Sequence, residues 1–506
     1  YENALLSLNK NRRRVRDLER CAGVLAAVSS LPGNQGIGDF GRKTRMFIDM
    51  IARAGFTIWQ LLPTQALGYG NSPYQPFSSF AGDPLFINID RLSEIGLLKQ
   101  SSIRNLNKFK ESVSYDEVRA FKETYFRKAF YEFKKNFASF QQEYDCFCRE
   151  CEWLEDYAVF ITFKKLNGMK AWTEWPLEMR EWPKRRSIDL EPYGNDIFYE
   201  KFLQYMFYTQ WVEIRDHAHE KGIRIMGDIP FYVGLDSVDV WVNRDCFLLE
   251  EDGTPSYVAG VPPDYFSESG QRWGNPIYDW KQMEKDKYEF WVRRLAWQNE
   301  CYDIVRIDHF RAFDTYWKIP ASCETAIEGE WVEGPQQAFF DRIYACLPDI
   351  ELVAEDLGEI RPEVTELKDA NGLPGMDVLL FRMEPKLLKK PAAKNSIVYT
   401  GTHDNDTAEE AYGKFTHNRR IALRRFFHNR DYRERNFHDL LVHFALDCDA
   451  DCVIIPVQDI LGLKAEGHMN RPGTLGSPNW EWKLKDYKVL TKEMSKVKKW
   501  IRSAKR

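Results

Sequence analysis

An α/β barrel of eight parallel strands, the (β/α)8 TIM-barrel class with large insertions in its βα loops, is what this 506-residue sequence predicts. Three observations carry that expectation. Eight short runs rich in Val, Ile and Leu are bounded by turn residues, the pattern of strands buried on both faces. Helix-length segments separate most of them and no GxGxxG follows the first, which favours a closed barrel over an open doubly wound sheet. The polar residues Asp228, Asp308, Glu355, Asp356, His403, Asp404 and Asp459 fall at or just after the C-terminal ends of the runs, the rim on which barrel enzymes build their sites.

The first run, AGVLAAVS (22–29), follows a basic stretch that superficially resembles a secretion leader. Asp17 and Glu19 stand close before it and the turn LPGNQGIGD directly after it, so the segment reads as a charged helix leading into a buried strand. The second run is TIWQLLP (57–63). Residues 64–222 then form an insertion too long for one helix, made of a polar and aromatic loop, GYGNSPYQPFSSFAGDP (68–84), and an amphipathic helical subdomain over about 91–220. The aromatic stripe of YDEVRAFKETYFRKAFYEFKKNFASF has helical spacing and predicts a packing face. The third run is IRIMGDIP (223–230), and a second insertion, 231–302, carries AGVPPDYFSESGQRWGNPIYDW (259–280). Runs four to eight are DIVRID (303–308), IELVAED (350–356), MDVLLF (376–381), SIVYTGTHD (396–404) and DCVIIPVQD (451–459). No linker, repeat or low-complexity segment divides the chain, so 1–506 reads as a single catalytic barrel domain.

Composition excludes several classes. A net charge of -5 is small for this length and predicts no nucleic-acid partner. No apolar run is long enough to span a membrane. Ten cysteines lie without a repeating framework, and CFCREC lacks the fourth ligand of a zinc site, so free thiols in a reducing cytoplasm are expected.

Asp308, Glu355 and Asp404 end the fourth, fifth and seventh runs. Glycosidic bond cleavage needs two carboxyl groups across the scissile bond, one to protonate the leaving oxygen and one to attack or to activate water. A third would hold substrate hydroxyls as charge develops on the ring. Arg306, two residues before Asp308, points the same way along the strand and would keep that aspartate ionised. Glu355 would need a raised pKa, which partial burial provides. His403 could donate to sugar hydroxyls. THDND could be imagined as metal ligands, yet no HxH on the first run accompanies it, so no catalytic metal and no cofactor are expected. No GxSxG follows a strand, which disfavours a serine nucleophile.

Long motifs sharpen this reading: SSLPGNQGIGDFG, WQLLP, GYGNSPYQPFSSFAGDPL, GDIPFYV, VAGVPPDYFSESGQRWGNPIYDW, VRIDHFRAF, AEDLG, PGMDVLLF, YTGTHDNDT, IIPVQD and MNRPGT. From about Gly23 to Trp482 the chain resembles the 4-alpha-glucanotransferases of the amylomaltase or disproportionating-enzyme family, glycoside hydrolase family 77, relatives of the alpha-amylases. The resemblance implies Asp308 as nucleophile, Glu355 as general acid and base, and Asp404 as transition-state stabiliser. It implies Arg306 and His403 as helpers around the reacting ring, Asp228, Ser72 and Tyr74 as contacts to sugar hydroxyls, and Trp273 and Asn275 in a loop arching over the cleft. His309 is expected either to contact substrate or only to support its strand end. The partners implied are alpha-1,4-glucans and maltooligosaccharides, and the chemistry is retaining, with the Asp308 and Glu355 carboxyl oxygens roughly 5 to 5.5 Å apart. The wording of the 68–84 loop is that of bacterial members, which favours a cytoplasmic location. Gln336 and the Ser-Pro of LGSPNWEW depart from the family pattern without touching the three carboxylates. The alternatives are an alpha-glucan hydrolase of the same mechanism and a glucan-binding protein without activity.

Overall fold

The computed structural model describes residues 20–103, 112–263, 268–358, 360–393 and 395–506. The charged helix expected ahead of the first strand lies largely outside these residues. The eight runs form one parallel sheet: β1 (Cys21–Leu25), β2 (Ile58–Gln60), β3 (Arg224–Ile229), β4 (Ile304–Ile307), β5 (Leu352–Ala354), β6 (Gly375–Val378), β7 (Ser396–Tyr399) and β8 (Cys452–Pro456). Their order is β6-β7-β8-β1-β2-β3-β4-β5. The backbone N–H of Ala354 donates to Pro374 O at 2.9 Å, which brings β5 beside β6 and closes the barrel. Nearly every strand residue is buried, as strands covered by side chains inside and helices outside must be.

The ladders are shorter than the apolar runs. The run 57–63 pairs only over Ile58–Gln60, and 396–404 only over Ser396–Tyr399. Beyond those points the chain leaves its neighbours to turn across the rim, so Asp404 stands on a loop rather than on a strand. Gly227 shows how tightly β3 is seated: a Cβ there would lie 2.3 Å from the Tyr302 ring, so only glycine allows that approach just before Asp228.

After β2 the chain builds helices Tyr115–Lys135, Gln141–Glu150, Leu154–Leu166 and Gly194–Glu220. The aromatic stripe is a packing face: buried Phe133 has ring centroids of Phe202 at 4.9 Å and Phe140 at 5.2 Å. Helix Gly194–Glu220 also clamps the 68–84 loop. Gln204 accepts from Gly82 N at 2.8 Å and donates to Gly82 O at 2.9 Å. Asp83 accepts from the N–H groups of Leu67 and Leu85, both at 2.8 Å, and Asp239 from that of Ser79 at 2.7 Å. A loop with few regular pairs is thereby held by buried side chains.

The 259–280 segment is not an irregular loop. It includes parts of two antiparallel strands, Tyr257–Val261 and Gln271–Pro276, which join Thr315–Pro320 and Glu330–Glu333 in a four-stranded sheet beside the barrel. Three of these strands, QRWGNP, TYWKIP and EWVE, mix polar and apolar residues, so a search for continuous apolar runs passes over them. The apolar core is continuous from the barrel strands into the helical insertion.

Candidate active site

The ends of β3 and β4 meet in a buried ion pair. Arg306 Nη1 lies 2.6 Å and 2.7 Å from the two Asp228 oxygens, and its Nη2 lies 3.1 Å from Asp308 Oδ1. Neighbouring parallel strands place Asp228 and Arg306 in register, which is why the pair forms at all. Tyr74, carried by the clamped loop, donates its hydroxyl to Asp228 Oδ2 at 2.7 Å. Burial, followed by the charge of Asp228, pushes the Tyr74 phenol up, so it stays a donor.

Glu355 is gripped by backbone. Its Oε2 accepts from His309 N at 2.7 Å and its Oε1 from Leu357 N at 2.9 Å. His309 makes the first of these bonds from the left-handed region, with φ +51°, an uncommon conformation for a residue with a side chain. The ring of His309 stands edge-on to Trp273 at 4.9 Å. Burial, then the nearby charge of Arg311, lowers its imidazole to about 3, so the ring is neutral.

Burial raises the Asp308 carboxyl well above its usual range, Arg306 pulls it down, and the charges of Glu355, Asp228 and Asp404 add to the rise. Glu355 is raised too, again by burial first, against the pull of Arg306 and the two backbone N–H groups. The expectation that Arg306 keeps Asp308 ionised therefore left out withdrawal from water. Burial holds both carboxyls above the ordinary carboxylate range.

Asp404 is held from the side. Asn470 Nδ2 donates to its Oδ1 at 2.6 Å, and His403 Nε2 lies 3.3 Å from its Oδ2. Burial lowers the His403 imidazole, which favours the neutral ring. That ring stacks on Tyr74 at 5.2 Å and 9°, with Trp480 tilted against it at 5.9 Å.

Other rim residues divide by what they touch. Ser72 turns its own loop, accepting from Tyr74 N at 3.3 Å. Asn275 is buried; it accepts from Gln75 at 3.1 Å and donates to Val233 O at 2.9 Å, joining two loops. Asp356 and Asp459 face backbone: Asp356 accepts from Met376 N at 2.7 Å, and Asp459 from Ala408 N at 2.7 Å and the Thr400 hydroxyl at 2.6 Å. Asp406 of THDND meets Glu410 and His468, but that cluster already holds a cation, since Lys414 Nζ lies 2.8 Å from Asp406 and 3.0 Å from Glu410.

Relatives decide the family. A family model described as 4-alpha-glucanotransferase matches residues 26–490. The chain belongs to the 4-alpha-glucanotransferase family. It is 40% identical to the 4-alpha-glucanotransferase of Thermus thermophilus over 92% of this chain and 95% of that one. It is 39% identical to that of Clostridium butyricum over 92% and 97%. Among solved structures, an amylomaltase from Streptococcus agalactiae in complex with acarbose superposes with a TM-score of 0.90 at 31% identity, covering 96% of this chain and 100% of that one.

Within this 4-alpha-glucanotransferase, sequence reasoning passed over Asn470, Gln75 and Trp480. Asn470 lies in MNRPGT, far along the chain from Asp404, and only the motif's likeness to the family signalled it. Arg294 was also missed: buried, it donates to Pro230 O at 2.8 Å and shapes the turn after β3.

Proposed function

We propose that this 4-alpha-glucanotransferase carries an alpha-1,4-glucan segment from a donor to the 4-hydroxyl of an acceptor glucan or glucose through a covalent glucosyl-enzyme. Asp308 attacks the anomeric carbon while Glu355 protonates the departing 4-oxygen. Glu355 then takes the proton of the incoming 4-hydroxyl as the Asp308 ester breaks, so the configuration is retained. Asp404, with Asn470 and His403 fixing its oxygens, faces the ring hydroxyls as positive charge develops. The observation that carries the reading is the single guanidinium of Arg306 shared by Asp228 and Asp308. It sets a positive charge 3.1 Å from Asp308, the carboxylate this reading has attack, and leaves the acid role to Glu355.

Trp273, beside His309, offers a face that a sugar acceptor stacks on while water is shed. Maltooligosaccharides and starch-type glucans are the substrates this reading names, with no nucleic-acid partner, no metal and no cofactor. Among the described residues no helix is long and apolar enough to cross a membrane. All ten cysteines are free, which supports a reducing cytoplasm as the location.

Incubation with maltotriose and chromatography of the products tests the reaction. A ladder of longer oligomers with free glucose is expected. Glucose and maltose alone would make the protein a hydrolase, and unchanged maltotriose would leave only binding. Retention further requires Asp308 and Glu355 carboxyl oxygens roughly 5 to 5.5 Å apart in a crystal structure.

A further inference from the structure

Of the 16 tryptophans, Trp331 is the exposed one, at 43%. It lies on the edge strand Glu330–Glu333 of the antiparallel sheet, in register with Trp317. The two rings meet at 5.2 Å and 64°. Trp317 is fixed by its own bond, Nε1 donating to Ala326 O at 2.9 Å, so the neighbour that orients Trp331 does not move freely. The Arg311 guanidinium lies 4.1 Å from the centroid of the Trp331 ring.

Arg311 ties this edge to the catalytic strand. It belongs to the turn Phe310–Phe313 that follows Asp308 and His309, and its charge helps to depress the His309 imidazole. His309 in turn meets Trp273 at 4.9 Å. Trp273 and His309 thus meet at the strand end that carries Asp308, and Arg311, two residues after His309, reaches Trp331 on the open edge of the sheet.

The exposed part of the indole is open to a ligand. The apolar C–H face of a glucose ring suits the indole face opposite Arg311, whose guanidinium lies over the other face. A long glucan bound at the carboxylates must leave the cleft across some part of the rim. We infer that Trp331, backed on one face by Arg311, is a stacking platform on its other face for a distal glucose unit of a long alpha-1,4-glucan whose reacting unit sits at Asp308. The platform rests on the glucanotransferase reading and adds a preference for chain length: oligosaccharides that end within the cleft do not reach it.

Kinetics of Trp331→Ala and Trp331→Phe with maltotriose and with long amylose test this. For Trp331→Ala the KM for amylose rises roughly two- to tenfold, the worth of one aromatic stacking contact. Maltotriose constants stay at the parent values, and Trp331→Phe falls between on amylose. Unchanged amylose constants overturn the platform. Equal losses on both substrates also overturn it, because they mark the indole as a support of the cleft. Light scattering closes the remaining route: an oligomer that dissociates in Trp331→Ala assigns the indole to a contact between copies and overturns the platform. A parent protein that makes no ladder from maltotriose fails the transferase reading itself, an outcome visible before any variant is made.

Discussion

The β4–β5 side of the cleft and the β7 side hold their carboxylates by different means. Asp308 and Glu355 leave the ends of barrel strands, where Arg306 reaches one at 3.1 Å and the backbone of His309 and Leu357 grips the other at 2.7 and 2.9 Å. Asp404 stands in the turn beyond Tyr399 and depends on two side chains, Asn470 at 2.6 Å and His403 at 3.3 Å. Groups tied to the barrel ladder move only if the barrel deforms, whereas Asp404 can be released by a single substitution elsewhere. The pair proposed to react is therefore rigid by construction, and the third carboxylate is tunable.

Breaking the rigid side has the largest effect. Asp308→Asn removes the oxygen proposed to attack and is expected to lower kcat for maltotriose disproportionation by at least about 10³-fold. Near-parental turnover would remove Asp308 from its role as nucleophile. Arg306→Met leaves Asp228, only 1% exposed, without its counter-charge, and loss of one partner of a buried pair costs about 3–5 kcal/mol. Urea unfolding measures this, and adding Asp228→Asn should restore part of the stability but none of the activity. If the double variant is no more stable than Arg306→Met, the Asp228 charge is not what the arginine compensates.

The tunable side is probed by Asn470→Ala. A hydrogen bond to a charged group is worth about 1.5–3 kcal/mol, so kcat should fall about ten- to a hundredfold with little change in unfolding. A loss as large as that of Asp308→Asn would erase the distinction between the two sides.

This contrast also explains what was legible in the sequence. Strand ends are local: VRIDHF and AEDLG announce a charged residue closing an apolar run, and barrel topology alone carries both to one rim. Support contributed from a distance is not local. Asn470 reaches Asp404 across 66 residues and Gln75 reaches Asn275 across 200, and no periodicity records either pairing. The antiparallel sheet was hidden for another reason, since strands such as Thr315–Pro320 lie half-covered and mix Lys with aromatic residues. The partial withdrawal of Asp308 from water escaped as well, because neighbouring residue types show a guanidinium but not the loss of solvent that opposes it.

The smallest expected effect separates the ring of His309 from its backbone. The folded protein holds the imidazole at about 3 against an ordinary 6.5, so the folded state refuses a proton that the unfolded chain accepts. Above about pH 6.5 both states are neutral and the contribution to stability is complete; as pH falls toward 3 it is lost at about 1.4 kcal/mol per unit. Asp308 and Glu355 act in the opposite sense, because a raised carboxyl pKa makes the folded state take up the proton first as pH falls. The difference between parent and His309→Asn isolates the ring, and asparagine tolerates the φ of +51°. The stability of the parent relative to the variant should therefore shrink by about 1 kcal/mol between pH 7 and pH 5.5, read by urea unfolding at each pH. Parallel curves would show that the ring already exchanges protons with solvent. The backbone N–H that grips Glu355 survives in asparagine, so the pH limb set by the carboxyl pair should stay in place at full turnover. A KM that rises while that limb stays fixed would put the ring against substrate; a limb that shifts would mean that the ring, through its edge-on contact with Trp273, is what keeps the backbone in its left-handed turn.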